Sequence, residues 1–267
     1  MPVLVASDVE RKRVWAAQAW DAPESAGRPP LRGLAATQRL IDARARLRLP
    51  WAADATLRLQ LLLGGQASNA VTVRLAGPRL AWFDPAVAEF LAANSPPNDP
   101  GPPVPMAARF EPGPDSPPVP EAVGVVFSLP PRVALAGPAM LTGSFRLPVR
   151  AAELAPAGDP AKPARALASR RPGAATRKPT AVLGLTFVLV GERTPGPWLL
   201  RLRVPSFDPL PAAGALPPDA TAAGHFQLDL LKHAATRPAV EQTYFVHAVA
   251  GDVVSAPVPM TLARDAS

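Results

Sequence analysis

Proline is the residue that most restricts what this chain can become. There are 37 prolines in 267 residues, well above the usual share of about 5%. Each locks φ and removes a backbone donor, so the chain is directed away from long helices and toward short strands joined by irregular connections. The densest stretch runs from Asn94 to Pro120, with 11 prolines in 27 residues. No regular ladder fits there, and an irregular or polyproline-like surface loop over 94–120 is expected.

The strands announce themselves by a period of two. Leu57, Leu59 and Leu61 alternate with Arg58 and Gln60, the pattern of a strand with one buried and one wet face. Arg44, Arg46 and Arg48 alternate in the same way with Ala45, Leu47 and Leu49, and a strand is expected there too. Gly64-Gly65 through Asn69 turns the chain, and Val71, Val73 and Leu75 resume it. Further strands are expected over Val123–Leu129, Met140–Val149, Ala181–Val190 and Trp198–Val204. The last two form a hairpin around Glu192–Gly196. From His225 to Leu262 three more strands are read, with Gly251-Asp252 as the turn before Val253. About ten or eleven strands at this spacing predict an all-β protein: one or more antiparallel β-sandwiches with long proline-rich loops and one or two short helices.

The helices are placed by capping signals. Ser7-x-x-Glu10 has the spacing of a capping box, which predicts a helix from Asp8 to about Trp20 in an N-terminal arm over 1–38. Asp84-Pro85 supplies an N-cap and an N1 proline, with Val87, Phe90 and Leu91 on one helical face before Asn94. The body is then 39–264, and a division into two lobes near 151–179 is the alternative organisation. Trp15 and Trp20 serve either to dock the arm on the body or to grip a partner, since exposed tryptophan is costly unless covered.

Charge adds one unusual feature to a net balance of +7. From Pro160 to Val190 there is no acidic residue, while Lys162, Arg165, Arg170, Arg171, Arg177 and Lys178 crowd a segment rich in Ala, Pro and Gly. Such a basic loop over 160–178 has two readings, an inert connection or an electrostatic tether for a polyanion. It holds no aromatic residue to stack on bases, which counts against selective single-strand binding.

Several chemistries lack their residues. With no cysteine there is no disulfide, thiolate metal site or thiol nucleophile. Of three histidines, His225 and His233 share a strand face with Asp229, but successive members lie about 13 Å apart and cannot close on one metal; His247 could approach from the next strand. No metal site and no cofactor are expected. There is no G-x-S-x-G elbow, and Ser144 and Ser255 have no local activating partner. No phosphate-cradling glycine loop follows a strand. Glu153, Glu192 and Asp229 are available carboxylates, and a site assembled between distant strands stays open as an alternative. The opening MPVLVASDVERKRVWAAQ lacks the order of a secretory signal, and no apolar run reaches about 18 residues, so a soluble, cytoplasmic protein without a membrane span is expected.

Two families are resembled in part. Tyr244-x-Val246-x-Ala248-x-x-Gly251, continued by Ser255-x-Pro257-Val258, resembles the last hairpin of a fibronectin type III module, and that resemblance implies a binding or spacing role within an immunoglobulin-like β-sandwich. Gly143-Ser144-Phe145, the basic loop, Leu183-Gly184-Leu185-Thr186 and the strand ending at Val204 are similar to the C-terminal shielding domain of plant-type polyphenol oxidases. The copper centre of that family needs six histidines, so this likeness implies an accessory cover domain without its enzyme. Both lead to a non-catalytic protein that works by contact with another protein, as an accessory or assembly subunit. Polyanion binding through 160–178 and an enzyme with a site between strands are the competing classes.

Overall fold

A computed structural model describes residues 2–9, 13–19, 43–47, 49, 55–75, 109–154, 179–193, 197–232 and 240–264. In chain order these hold β1 (Pro2–Asp8), β2 (Val14–Gln18), a one-turn helix α1 (Ala43–Leu47), β3 (Ala55–Leu63), β4 (Gln66–Ala67), β5 (Val71–Leu75), β6 (Gly124–Ser128) and β7 (Arg132–Ala134). They continue with β8 (Met140–Pro148), β9 (Ala181–Gly191), β10 (Trp198–Ser206), β11 (Thr221–Asp229), β12 (Gln242–Ala250), β13 (Val253–Val254) and β14 (Val258–Ala263). The protein is all-β, as the proline content and the period of two require.

The strands form three sheets. An N-terminal sheet runs β2-β1-β3-β4, with β5 also paired to β3. A central sheet runs β10-β9-β12-β14-β7, with β13 on β12, and a three-stranded sheet runs β11-β8-β6. Among the described residues every pairing is antiparallel except β14 with β7.

Side-chain alternation explains how the sheets stack. On β9, Leu183, Leu185, Phe187 and Leu189 point to one side, and on β12 Tyr244, Val246 and Ala248 join them. They meet Val125, Phe127, Leu141, Phe145, Leu147, Phe226 and Leu228 of the three-stranded sheet in the largest apolar core. The alternate residues Val188, Val190 and Val249 point the other way and pack on Val3, Val5, Val14 and Leu62 of the N-terminal sheet. The central sheet is therefore buried on both faces, which is why β9 reads as a nearly continuous apolar run. A third cluster lies on the far side of the N-terminal sheet, where Leu47 of α1 and Leu49 cover Leu4, Ala6 and Leu57.

Within the three-stranded sheet, two glycines make room for two rings. Gly143 on β8 faces Phe226 on β11, and Gly224 on β11 faces Phe145 on β8. A Cβ at Gly143 would lie 2.3 Å from the Phe226 ring and 2.8 Å from the Phe127 Cβ; one at Gly224 would lie 2.7 Å from the Phe145 ring. Each ring thus lies over the bare backbone of the opposite strand. Phe187 stands edge-on to both Phe127 and Phe226, with centroids 5.5 and 5.6 Å away, a favoured arrangement for aromatic quadrupoles.

Several expectations need correction. The helix from Asp8 to about Trp20 does not form: residues 2–8 and 14–18 are strands, and β1 lies between β2 and β3. Ser7, expected to cap that helix, instead donates its hydroxyl to the Gly251 carbonyl. The apolar run of Val3, Leu4 and Val5 is buried on both faces, a larger gain than one capping bond. The strand expected from Arg44 is also wrong, since 43–47 is helical. Its Ala, Arg and Leu are all good helix formers with no β-branched residue among them. The helix expected after Asp84 lies outside the described residues. So does the proline-rich loop over 94–108, whereas 109–120 crosses the outer face of the three-stranded sheet. There Arg109 bridges Gln227, and the Pro118 and Pro120 carbonyls accept bonds from Ser144 (2.7 Å) and Arg146 (2.8 Å).

Tyr244 carries a testable oddity, because its hydroxyl is buried in the main core with no hydrogen-bond partner among the described residues. Tyr244→Phe is expected to leave stability unchanged or raise it by about 1 kcal/mol, since it removes an unsatisfied polar group without changing the ring. Urea denaturation midpoints check this. A clear loss would show that the hydroxyl is satisfied in solution.

Candidate functional site

Two surfaces of the N-terminal sheet collect the features that the layers themselves do not require. The first faces the central sheet and is crossed by a seam of polar ties. Besides the bond from Ser7 to Gly251, Arg58 donates to the Asp252 carbonyl at 2.7 Å and Arg201 donates to the Val14 carbonyl at 2.9 Å. The Gly64 carbonyl lies 3.3 Å from His247 Nε2. With a carbonyl as its partner, that nitrogen carries the proton and donates. The turn at Gly64, where φ is +54°, and Gly65 also sit on the Phe245 ring of β12, and a Cβ on Gly65 would lie 3.2 Å from it.

His247 is fully buried, and among the described residues its Nδ1 has no hydrogen-bond partner. Burial lowers its pKa below the ordinary 6.5, against a smaller upward pull from the Gly64 and Ser255 backbone. The folded protein therefore holds it neutral. Between its depressed folded pKa and 6.5 the unfolded chain binds the extra proton, so stability rises with pH through that window. The contribution is complete above about 6.5 and drains away as the pH falls below it. Denaturation midpoints measured between pH 7 and pH 5 are expected to decline in the native chain. His247→Gln, which cannot titrate, is expected to flatten that decline, and an unchanged slope would exclude His247 as its source.

The second surface is the opposite face of the same sheet. Ladder register places Trp15 on β2, Ala6 on β1, Leu59 on β3 and Val71 on β5 in one row, with Ala17, Leu4 and Leu61 in the next. Leu57 and Val73 continue the face at one end, and Leu63 continues β3 at the other. α1 covers the side nearest β1 and β2. Toward β5 the cover gives out, leaving Leu63 55% and Val71 54% exposed. No sequence signal marks this: the same leucines alternate as any half-buried strand would.

The residues singled out in the sequence fall in scattered places. Trp15 is half-buried against the cluster beneath α1. Trp20, and all of Lys162, Arg165, Arg170, Arg171, Arg177 and Lys178, lie outside the described residues, as does His233. Ser144 Oγ donates to Pro118, while Ser255 Oγ accepts from the Ala248 amide at 2.8 Å and donates to Ala256. Asp229 accepts from the amides of Ala139, Leu231 and Lys232, and Glu153 accepts from that of Arg150 at 3.0 Å. These groups are thus tied to backbone, and register sets His225 of β11 directly opposite Ser144 of β8, with Asp229 further along the same face of β11. Among the described residues no three His, Asp or Glu side chains come together as a metal site, and no helix there is long and apolar enough to cross a membrane. Set against known proteins, the chain matches no family, no curated relative and no solved structure.

Proposed function

We propose that this chain is a contact protein, an accessory or assembly subunit that holds another protein through the outer face of its N-terminal sheet. The observation that carries the reading is the exposure of Leu63 and Val71 where a continuous apolar face runs out from under α1. Apolar side chains left bare beside an apolar row are characteristic of interaction surfaces. The hydroxyls and carboxylates named above, held in backbone bonds, lend support, as does the likeness of the last hairpin to modules that bind or space other domains.

The test places a photo-activatable residue at position 63 and, as a control, at exposed Val240. Irradiation in the native cell is expected to give one discrete adduct from position 63 and none from 240. Equal or diffuse labelling from both would overturn the reading. A second reading, polyanion binding, follows from the six basic residues of 160–178. It requires salt-dependent retention on heparin that disappears when the segment is removed.

A further inference from the structure

Resting on the reading just proposed, the geometry points to β5 as a docking edge for an extended strand of another chain. That strand would be apolar at alternate positions and acidic at the positions between. β5 pairs with β3 on one side, and among the described residues no strand lies on the other. Its outer row of backbone N–H and C=O groups is thus a template for strand addition. The two faces of the edge differ in chemistry. Val71 and Val73 continue the apolar row of Leu59 and Leu57, so an incoming strand must present apolar side chains to that side. On the other side Thr72 and Arg74 are exposed, with Arg58 directly across from Thr72. Neither β3 nor β5 contains an acidic residue to balance the two arginines.

That imbalance selects the occupant. Pairing with a second copy of β5 would gather four arginines on one face of the joined sheet, and like charges across a ladder are destabilising. A strand carrying glutamate or aspartate at those positions neutralises them instead. Two of the other edges are less open to addition: β2 lies beneath α1, and β10 adjoins β11 of the neighbouring sheet.

The experiment uses the full chain and fluorescein-labelled peptides that alternate valine with glutamate, read by anisotropy. The valine–glutamate peptide is expected to bind saturably. A valine–lysine peptide is expected to bind roughly tenfold more weakly or worse, and a fully N-methylated valine–glutamate peptide not at all. Arg74→Glu lies on the exposed surface and should leave the denaturation midpoint in place while weakening the valine–glutamate peptide by roughly tenfold. Absence of saturable binding, equal binding of the N-methylated peptide, or indifference to Arg74→Glu would each overturn the proposal. So would a dimer in sedimentation that Val71→Lys dissociates, since a second copy would then occupy the edge. A discrete adduct from position 63 together with no peptide binding would sink strand addition alone, whereas loss of the adduct would sink the broader reading.

Discussion

Gly143→Ala is expected to destabilise the protein by about 3 kcal/mol, far more than a single methyl group ordinarily costs. The new Cβ would sit 2.3 Å from one atom of the Phe226 ring, 2.6 Å from another and 2.8 Å from the Phe127 Cβ. Phe226 is fully buried and held edge-on by Phe187, so the ring has no free space into which to retreat. Two comparisons separate this clash from a general dislike of alanine. Gly214→Ala, at a glycine with nothing within 4 Å of its virtual Cβ, should be silent. In a Phe226→Leu background the cost of Gly143→Ala should shrink, because the obstructing ring atoms are gone; a double-mutant cycle in urea measures the coupling. Additive effects would show that Phe226 is not the obstacle.

The second large effect is expected at Phe187, where Phe187→Ala should cost about 3–5 kcal/mol. The side chain is fully buried at the middle of the main core and touches the rings of Phe127 and Phe226. Its neighbour Val188 faces the N-terminal sheet instead. Val188→Ala should cost less and should first expose amides around Val3, Val5 and Leu62, leaving those around Leu141 and Phe226 protected. Hydrogen exchange followed in both variants distinguishes the two faces of β9. Identical patterns of exposure would mean that the two layers open as one unit.

Where a strand is written as an alternating or apolar run bounded by turn residues, the fold is legible in the sequence. β3, β8, β10 and β12 lie within a residue or two of where their period places them. β1 shows no period because burial on both faces erases its alternation, and Ser7-x-x-Glu10 offers a local helical explanation for the residues of β2 that pairing with β1 overrides. The two-residue strands β4 and β13 and the three-residue β7 are too short to show any period. At 43–47 alternation misled: Ala-Arg-Ala-Arg-Leu can be read either way, and helix propensity decided it. The candidate surfaces were less visible still. His247 meets a carbonyl 183 positions away, and the exposure of Val71 depends on how far α1 extends across a sheet whose strands come from several parts of the chain.

The parallel pairing of β14 with β7 has a consequence for how the protein is made. Residues 132–134 leave the ribosome long before 261–263, yet β14 lies between β12 and β7 in the finished sheet. β7 must therefore wait, with its ladder partner not yet synthesised, until residues 258–263 have emerged. Completion of the central layer is accordingly a late event, and a nascent chain cut short before residue 258 would present that unfilled gap to chaperones and proteases.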